Sequence, residues 1–194
     1  MRISKPDIVI FDNFLSDAEC DAIVSDSLTR LVPSEVVSVN SLENQLHIHR
    51  TSDGMYFSRS ETPLIESIES RINLLTHYPI DHGEGIQVLN YKKGAEYRPH
   101  FDYFDENTLG GQKHMIQGGQ RVATLVMYLN NVEQGGETIF PEIGLKVFPK
   151  KGSILFFSNL NNQGEVEPLT LHGGAPVIKG EKWIATKWLR QHKY

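Results

Sequence analysis

Lys182-Trp183-Ile184-Ala185-Thr186-Lys187-Trp188-Leu189 is rich in β-branched and aromatic side chains, the composition of a strand. Side chains alternate faces along a strand, so Lys182, Ile184, Thr186 and Trp188 share one side. Comparable short runs recur at Ile86 to Tyr91, Val122 to Leu129, Leu145 to Phe148 and Ser153 to Phe157, punctuated by glycine and proline. Many short strands with such turns predict a sandwich or barrel. No repeat or low-complexity tract interrupts the pattern.

A lysine on a largely apolar, inward-looking face needs an anionic partner, because an unpaired buried ammonium is penalised or loses its proton. A carboxylate ligand would supply that partner. Upstream stands His100-Phe101-Asp102, whose first and third side chains would share a strand face and grip one ion together. A third ligand comes from His172, which opens Leu171-His172-Gly173-Gly174-Ala175-Pro176-Val177, where paired glycines let the backbone approach a site closely. Two imidazoles and one carboxylate occupy one face of a metal and leave the opposite positions open, the arrangement of non-heme Fe(II) oxygenases. The same three side chains suit Zn²⁺ with a bound water for hydrolysis. Iron is favoured by the ordered set: His-x-Asp, a distant histidine, then a lysine 182 − 172 = 10 positions later.

Composition bounds the remainder. The 194 residues, 39% hydrophobic and 22% charged, suffice for one substantial core, and one domain over 1–194 is expected. A net charge of −5 leaves no basic footprint for nucleic acid, and no run of about 18 apolar residues offers a membrane span. The single Cys20 excludes an intrachain disulfide framework, and Met1 to Pro6 lead into Ile8-Val-Ile-Phe11 without a signal-peptide hydrophobic region. A cytoplasmic setting is the expectation; oligomeric state is not legible.

Residues up to about 80 read as a helical support for a β core starting near 85. Ser16-Asp-Ala-Glu19 has the capping-box pattern, and Cys20, Ile23, Val24, Leu28 and Leu31 follow at helical spacing, predicting a helix to about Leu31. Thr62-Pro63 resembles an N-cap followed by proline, and Leu64, Ile65, Ile68, Ile72 and Leu75 form an apolar stripe ending near Tyr78-Pro79. Such stripes are packing faces. The stretch from Tyr103 to Gln120, with Gly110-Gly111 and Gly118-Gly119, reads as a long mobile cover for a site, or equally as a disordered surface loop. His47 and His49 share a strand face, but no third ligand accompanies them; His77, His82, His114 and His192 have no sequence partners.

Tyr91-(x)8-His100-x-Asp102, Arg121-Val-Ala-Thr-Leu-Val-Met-Tyr-Leu129, Gly135-Gly-Glu-Thr138 and Lys182-Trp-Ile-Ala-Thr-Lys-Trp188 together resemble the prolyl 4-hydroxylase catalytic domain of the 2-oxoglutarate and Fe(II) dependent dioxygenase superfamily. The likeness runs from about Gln87 to Arg190. It implies an α+β, mainly β fold: a double-stranded β-helix, or jelly-roll, core with N-terminal supporting helices. It implies that His100, Asp102 and His172 bind Fe(II) and that Lys182 pairs with the distal carboxylate of 2-oxoglutarate, with Tyr91 and Thr138 as further cosubstrate contacts. Tyr97 and Trp188 correspond to aromatic residues flanking a substrate proline, and Arg121 to a residue near the bound peptide. Read from the residues alone, Trp188 is equally core, Tyr97 a barrel-rim aromatic and Arg121 a surface charge at a strand start.

The activity so implied is O₂-dependent 4-hydroxylation of a prolyl residue in a peptide or protein, coupled to conversion of 2-oxoglutarate to succinate and CO₂, with ascorbate as an accessory reductant. Hydroxylation of a free amino acid is the runner-up. A zinc hydrolase and a non-catalytic peptide-binding relative are the readings from other classes.

Overall fold

A computed structural model describes residues 1–33 and 51–194, together with the backbone of β4 (Glu35–Val36) and β5 (Gln45–Leu46). His47 and His49 lie outside the described residues. The N-terminal third supplies β1 (Arg2–Ser4), β2 (Asp7–Phe11), α1 (Asp17–Ser27), β3 (Val32–Pro33), β6 (Asp53–Phe57) and α2 (Pro63–Thr76). There follow β7 (Ile86–Tyr91), β8 (Tyr97–His100), α3 (Leu109–Met115), β9 (Arg121–Tyr128), β10 (Gln134–Gly135), β11 (Thr138–Phe140) and β12 (Leu145–Val147). The chain ends with β13 (Ile154–Ser158), β14 (His172–Gly174), β15 (Val177–Lys179) and β16 (Lys182–Arg190).

Eight strands form one antiparallel sheet in the order β1-β2-β13-β9-β16-β7-β6-β3, and four form a second, β12-β11-β14-β8. The mainly β, jelly-roll expectation is met. The central strands β7 and β16 are buried along their whole length, because both sheet faces are covered. On β16, Trp183, Ala185 and Leu189 pack with Ile23, Ile65, Ile68 and Ile72 of the helices, while Ile184 joins Phe140, Val147 and Phe157 between the sheets. The period-two reading of Lys182, Ile184, Thr186 and Trp188 as one inward face is therefore correct; all four line the same cavity.

The helices start where their caps dictate. Ser16 and Glu19 form the reciprocal capping box, and Glu19 also binds Arg71 of α2 at 2.6 Å, tying the two helices together. Thr62 accepts from Ile65 N with Pro63 in the first turn, and His77 closes α2 in the left-handed conformation, φ 61°. One buried pair crosses the helix–sheet layer, Lys187 Nζ to Glu69 at 2.5 Å.

Three expectations need correction. The first helix stops at Ser27, not Leu31: the Ser27 hydroxyl bonds back to Ile23 O, Leu28 is exposed, and Leu31 leads into β3. The N-terminal part is not only a helical support, since β1, β2, β3 and β6 extend the large sheet at both edges. The Tyr103 to Gln120 stretch is no featureless loop. It contains α3, capped by Thr108, and Gln120 bonds Phe104 through both its amide atoms, to Phe104 N at 2.7 Å and to Phe104 O at 2.8 Å.

Candidate metal centre

β8 and β14 run antiparallel, and His100 pairs with His172 in their register. The close approach depends on Gly173: a Cβ there would lie 2.7 Å from Tyr97 O and 3.0 Å from Pro99 N. Asp102 is not on the strand. β8 ends at His100 and the carboxylate sits in the bend that follows, so the strand-face expectation holds in outcome but not in mechanism.

Each imidazole is oriented from behind by the carbonyl two residues earlier, His100 Nδ1 to Arg98 O at 2.9 Å and His172 Nδ1 to Thr170 O at 3.0 Å. A carbonyl only accepts, so Nδ1 carries the proton and Nε2 presents its lone pair. The two Nε2 atoms lie 3.5 Å from Asp102 Oδ1 and Oδ2 respectively. All three ligand atoms fall within 4.8 Å of one another. Burial alone would raise the Asp102 pKa, but His172, His100 and Arg121 outweigh it and hold the carboxyl well below the usual range. Burial lowers His172 to about 4, with Asp102 opposing and His100 assisting. Near neutral pH His172 is therefore neutral and Asp102 ionised. Three donors of this kind on one side, facing a cavity of 410 Å³, fit a divalent cation with open positions.

Lys182 lies on the same cavity. It is 3% exposed, and among the described residues it has no ion-pair partner; its ammonium sits 5.6 Å from the Tyr91 ring centroid and 5.9 Å from that of Tyr128. Burial depresses its pKa to about 8, partly countered by Glu137. A buried cation without a direct ion-pair partner among the described residues prepares the recess for an anion. Tyr91 pairs with Lys182 in the β7–β16 register, and Thr138 accepts the Tyr128 hydroxyl proton at 2.7 Å; Tyr91 and Thr138 both line the cavity.

Tyr97 stacks on the His100 ring, centroids 3.7 Å apart, and Trp188 lines the cavity from β16. Arg121 is not a surface charge. Its Nε and second terminal nitrogen bind the two Glu84 oxygens at 2.7 and 2.9 Å, and its guanidinium lies 3.9 Å from the Trp188 ring centroid. Glu84 also receives Arg190 at 2.8 Å. Phe104, Thr108 and Gly111, from the Tyr103 to Gln120 segment, complete the wall. Sequence reasoning thus brought together all nine of its candidates, each a lining residue of one cavity. It missed Glu84, isolated between two glycines, and Thr124, Tyr128 and Asn159. Thr124 and Tyr128 were findable, because period two from Val126 places them on the inward face of β9.

A profile of the 2OG-Fe(II) oxygenase superfamily matches residues 86–190. Probable prolyl 4-hydroxylase 4 of Arabidopsis thaliana is 40% identical over 207 residues, covering 96% of this chain and 68% of that protein. Prolyl 4-hydroxylase 2 of the same plant is 38% identical with the same coverage. Among solved structures, the viral collagen prolyl hydroxylase from Paramecium Bursaria Chlorella virus-1, in its 2OG complex, superposes with a TM-score of 0.74 at 31% identity over 94% of this chain and 95% of that one. A Pseudomonas putida prolyl-4-hydroxylase, 20% identical with a TM-score of 0.62, shares the fold.

Proposed function

This chain belongs to the 2OG-Fe(II) oxygenase superfamily and, within it, to the prolyl 4-hydroxylases, and on that premise we propose that it 4-hydroxylates prolyl residues in an extended peptide or protein. One observation carries the reading. A single cavity holds the His-Asp-His donor set, the unpaired Lys182 and the aromatic side chains Tyr97 and Trp188.

With Fe(II) bound, the site supplies O₂ chemistry: one oxygen atom enters a substrate C–H bond and the other enters succinate as 2-oxoglutarate loses CO₂. The protein's part is placement. His100, Asp102 and His172 would hold the metal, the histidines through Nε2 and Asp102 through a carboxylate oxygen. Lys182 neutralises the distal carboxylate of 2-oxoglutarate, with Tyr91 and Thr138 beside it. The Phe104 and α3 wall excludes water from the reacting atoms. Tyr97 and Trp188 offer ring faces to a pyrrolidine, and a polyproline II segment, with its solvated backbone and low ordering entropy, needs few further contacts. Arg121, tied to Glu84 and lying over the Trp188 ring, lines the same cavity and stands beside the proposed peptide path. Ascorbate enters as the external reductant expected of such an enzyme. The hydrolase reading gives way to the family membership, and the non-catalytic reading to the complete ligand set.

The test is succinate release with Fe(II), 2-oxoglutarate and a panel of proline-containing peptides alongside free proline. Peptide-stimulated release supports the proposal. Stimulation by free proline alone assigns a small-molecule hydroxylase instead.

A further inference from the structure

Asn159 follows the last residue of β13 and is wholly buried. Its Nδ2 donates to Thr124 Oγ1 at 3.1 Å, and the Thr124 hydroxyl donates to Asp102 Oδ2 at 2.8 Å. The direction of this chain is forced. An ionised carboxylate only accepts, so Thr124 commits its one proton to Asp102 and must accept from an amide nitrogen. The opposite end of the amide, Asn159 Oδ1, has no hydrogen bond among the described residues. A buried amide with one end unpaired is normally a cost.

The backbone of the same residue reaches the other side of the centre. Asn159 N donates to Val122 O, and Asn159 O accepts from Glu167 N, both at 2.9 Å. Glu167 O accepts from Thr170 N at 3.1 Å and from the Thr170 hydroxyl at 2.6 Å, and Thr170 O is the group that orients His172 Nδ1. One buried residue therefore touches the support of two of the three ligands, Asp102 through its side chain and His172 through a single backbone turn.

Resting on the metal-site reading above, we propose that Asn159, acting through Thr124, is a positioning residue of the metal centre: it stops the Asp102 carboxylate from rotating and thereby slows release of the ion. Without the amide donor the Thr124 hydroxyl loses the bond that fixes its rotamer. Asp102 then loses a fixed partner. Among the described side chains Thr124 is the hydrogen-bond donor to Asp102 Oδ2; His172 Nε2, 3.5 Å away, presents a lone pair and cannot donate.

The test uses the full chain loaded with Co(II), whose visible absorbance reports coordination, and follows release into excess chelator. Asn159→Leu and Thr124→Val are each expected to speed release by about tenfold or more. The double variant should be no faster than the faster single, because the two residues act in series. Thr124→Ser, which keeps the hydroxyl, should restore most of the wild-type lifetime. Thermal melts of the metal-free variants separate lost fold from lost positioning, and Asn159→Ala replaces Asn159→Leu if the larger side chain does not fold. Wild-type release from a folded Asn159 variant, or multiplicative effects in the double variant, overturns the positioning role and leaves the metal reading standing. A wild-type chain that takes up no Co(II) overturns both.

Discussion

His100 and His172 are register partners across β8 and β14, their ring centroids 4.4 Å apart. The backbone ladder itself sets the spacing of two of the three ligands. Disturbing the ladder should therefore disturb the site.

Gly173→Ala is the sharpest perturbation of that ladder, because the added methyl meets the Tyr97 carbonyl and Pro99 nitrogen of the paired strand. Overpacking of this kind costs about 1–3 kcal/mol. Gly174→Ala, whose nearest atoms lie at 3.7–3.9 Å, should leave stability nearly unchanged. Urea unfolding of the two variants checks the contrast.

Lys182 gives cosubstrate binding a defined pH dependence. Its folded pKa of about 8 lies below the ordinary 10.5, so folding penalises the charged form: the penalty is complete below about pH 8 and fades as pH rises toward 10.5. A bound carboxylate requires the ammonium, so 2-oxoglutarate affinity should fall as pH rises above about 8, with proton uptake on binding. Calorimetry of the Mn(II)-loaded protein in buffers of differing ionisation enthalpy reads that uptake. Lys182→Met should bind at least about tenfold more weakly, from loss of a buried charge partner, and without the pH dependence.

Glu84 holds the buried Arg190 and the part-buried Arg121, so Glu84→Gln should destabilise the protein by about 3–5 kcal/mol. Burial raises the Glu84 pKa, but Arg121 and Arg190 pull it below the ordinary 4.5. Its contribution is thus present above pH 4.5 and lost as pH falls further. The stability gap between wild type and Glu84→Gln should narrow in acid. Because Arg121 stacks on Trp188, tryptophan fluorescence of the folded variant should shift as well.

Tyr97→Ala and Trp188→Ala should depress peptide-dependent turnover more than peptide-independent decarboxylation of 2-oxoglutarate, since the proposed function assigns both rings to the substrate proline. Comparing ¹⁴CO₂ release with and without peptide separates the two. Equal losses in both would place these aromatics in cosubstrate binding.

Legibility followed residue chemistry. His100, Asp102, His172 and Lys182 were recognisable because two imidazoles, a carboxylate and an inward lysine have few bland explanations together. β7, β9 and β16 were legible from β-branched runs. β14 was not, since Gly173-Gly174 have low strand propensity; β8 was read only from the His100-x-Asp102 spacing and taken too far, to Asp102 instead of His100, and both strands exist through their register with each other. α3 was hidden by its glycines: Gly111 is there because a Cβ would collide with Asp105 O, a tertiary reason no local pattern carries. Arg121 was misread as exposed in one reading because its partner Glu84 is 121 − 84 = 37 positions away, on no shared period.

The most direct measurement is mass spectrometry of a proline-rich peptide and free proline incubated together with the Fe(II)-loaded protein, 2-oxoglutarate and ¹⁸O₂. The expected result is one ¹⁸O atom on a prolyl residue at C4, with one succinate formed per modified residue, and no modification by His100→Ala or His172→Ala. Unmodified peptide beside oxidised free proline, or oxygen found on lysine or arginine, would contradict the prolyl assignment. Coupled turnover retained by both histidine variants would contradict the metal centre itself.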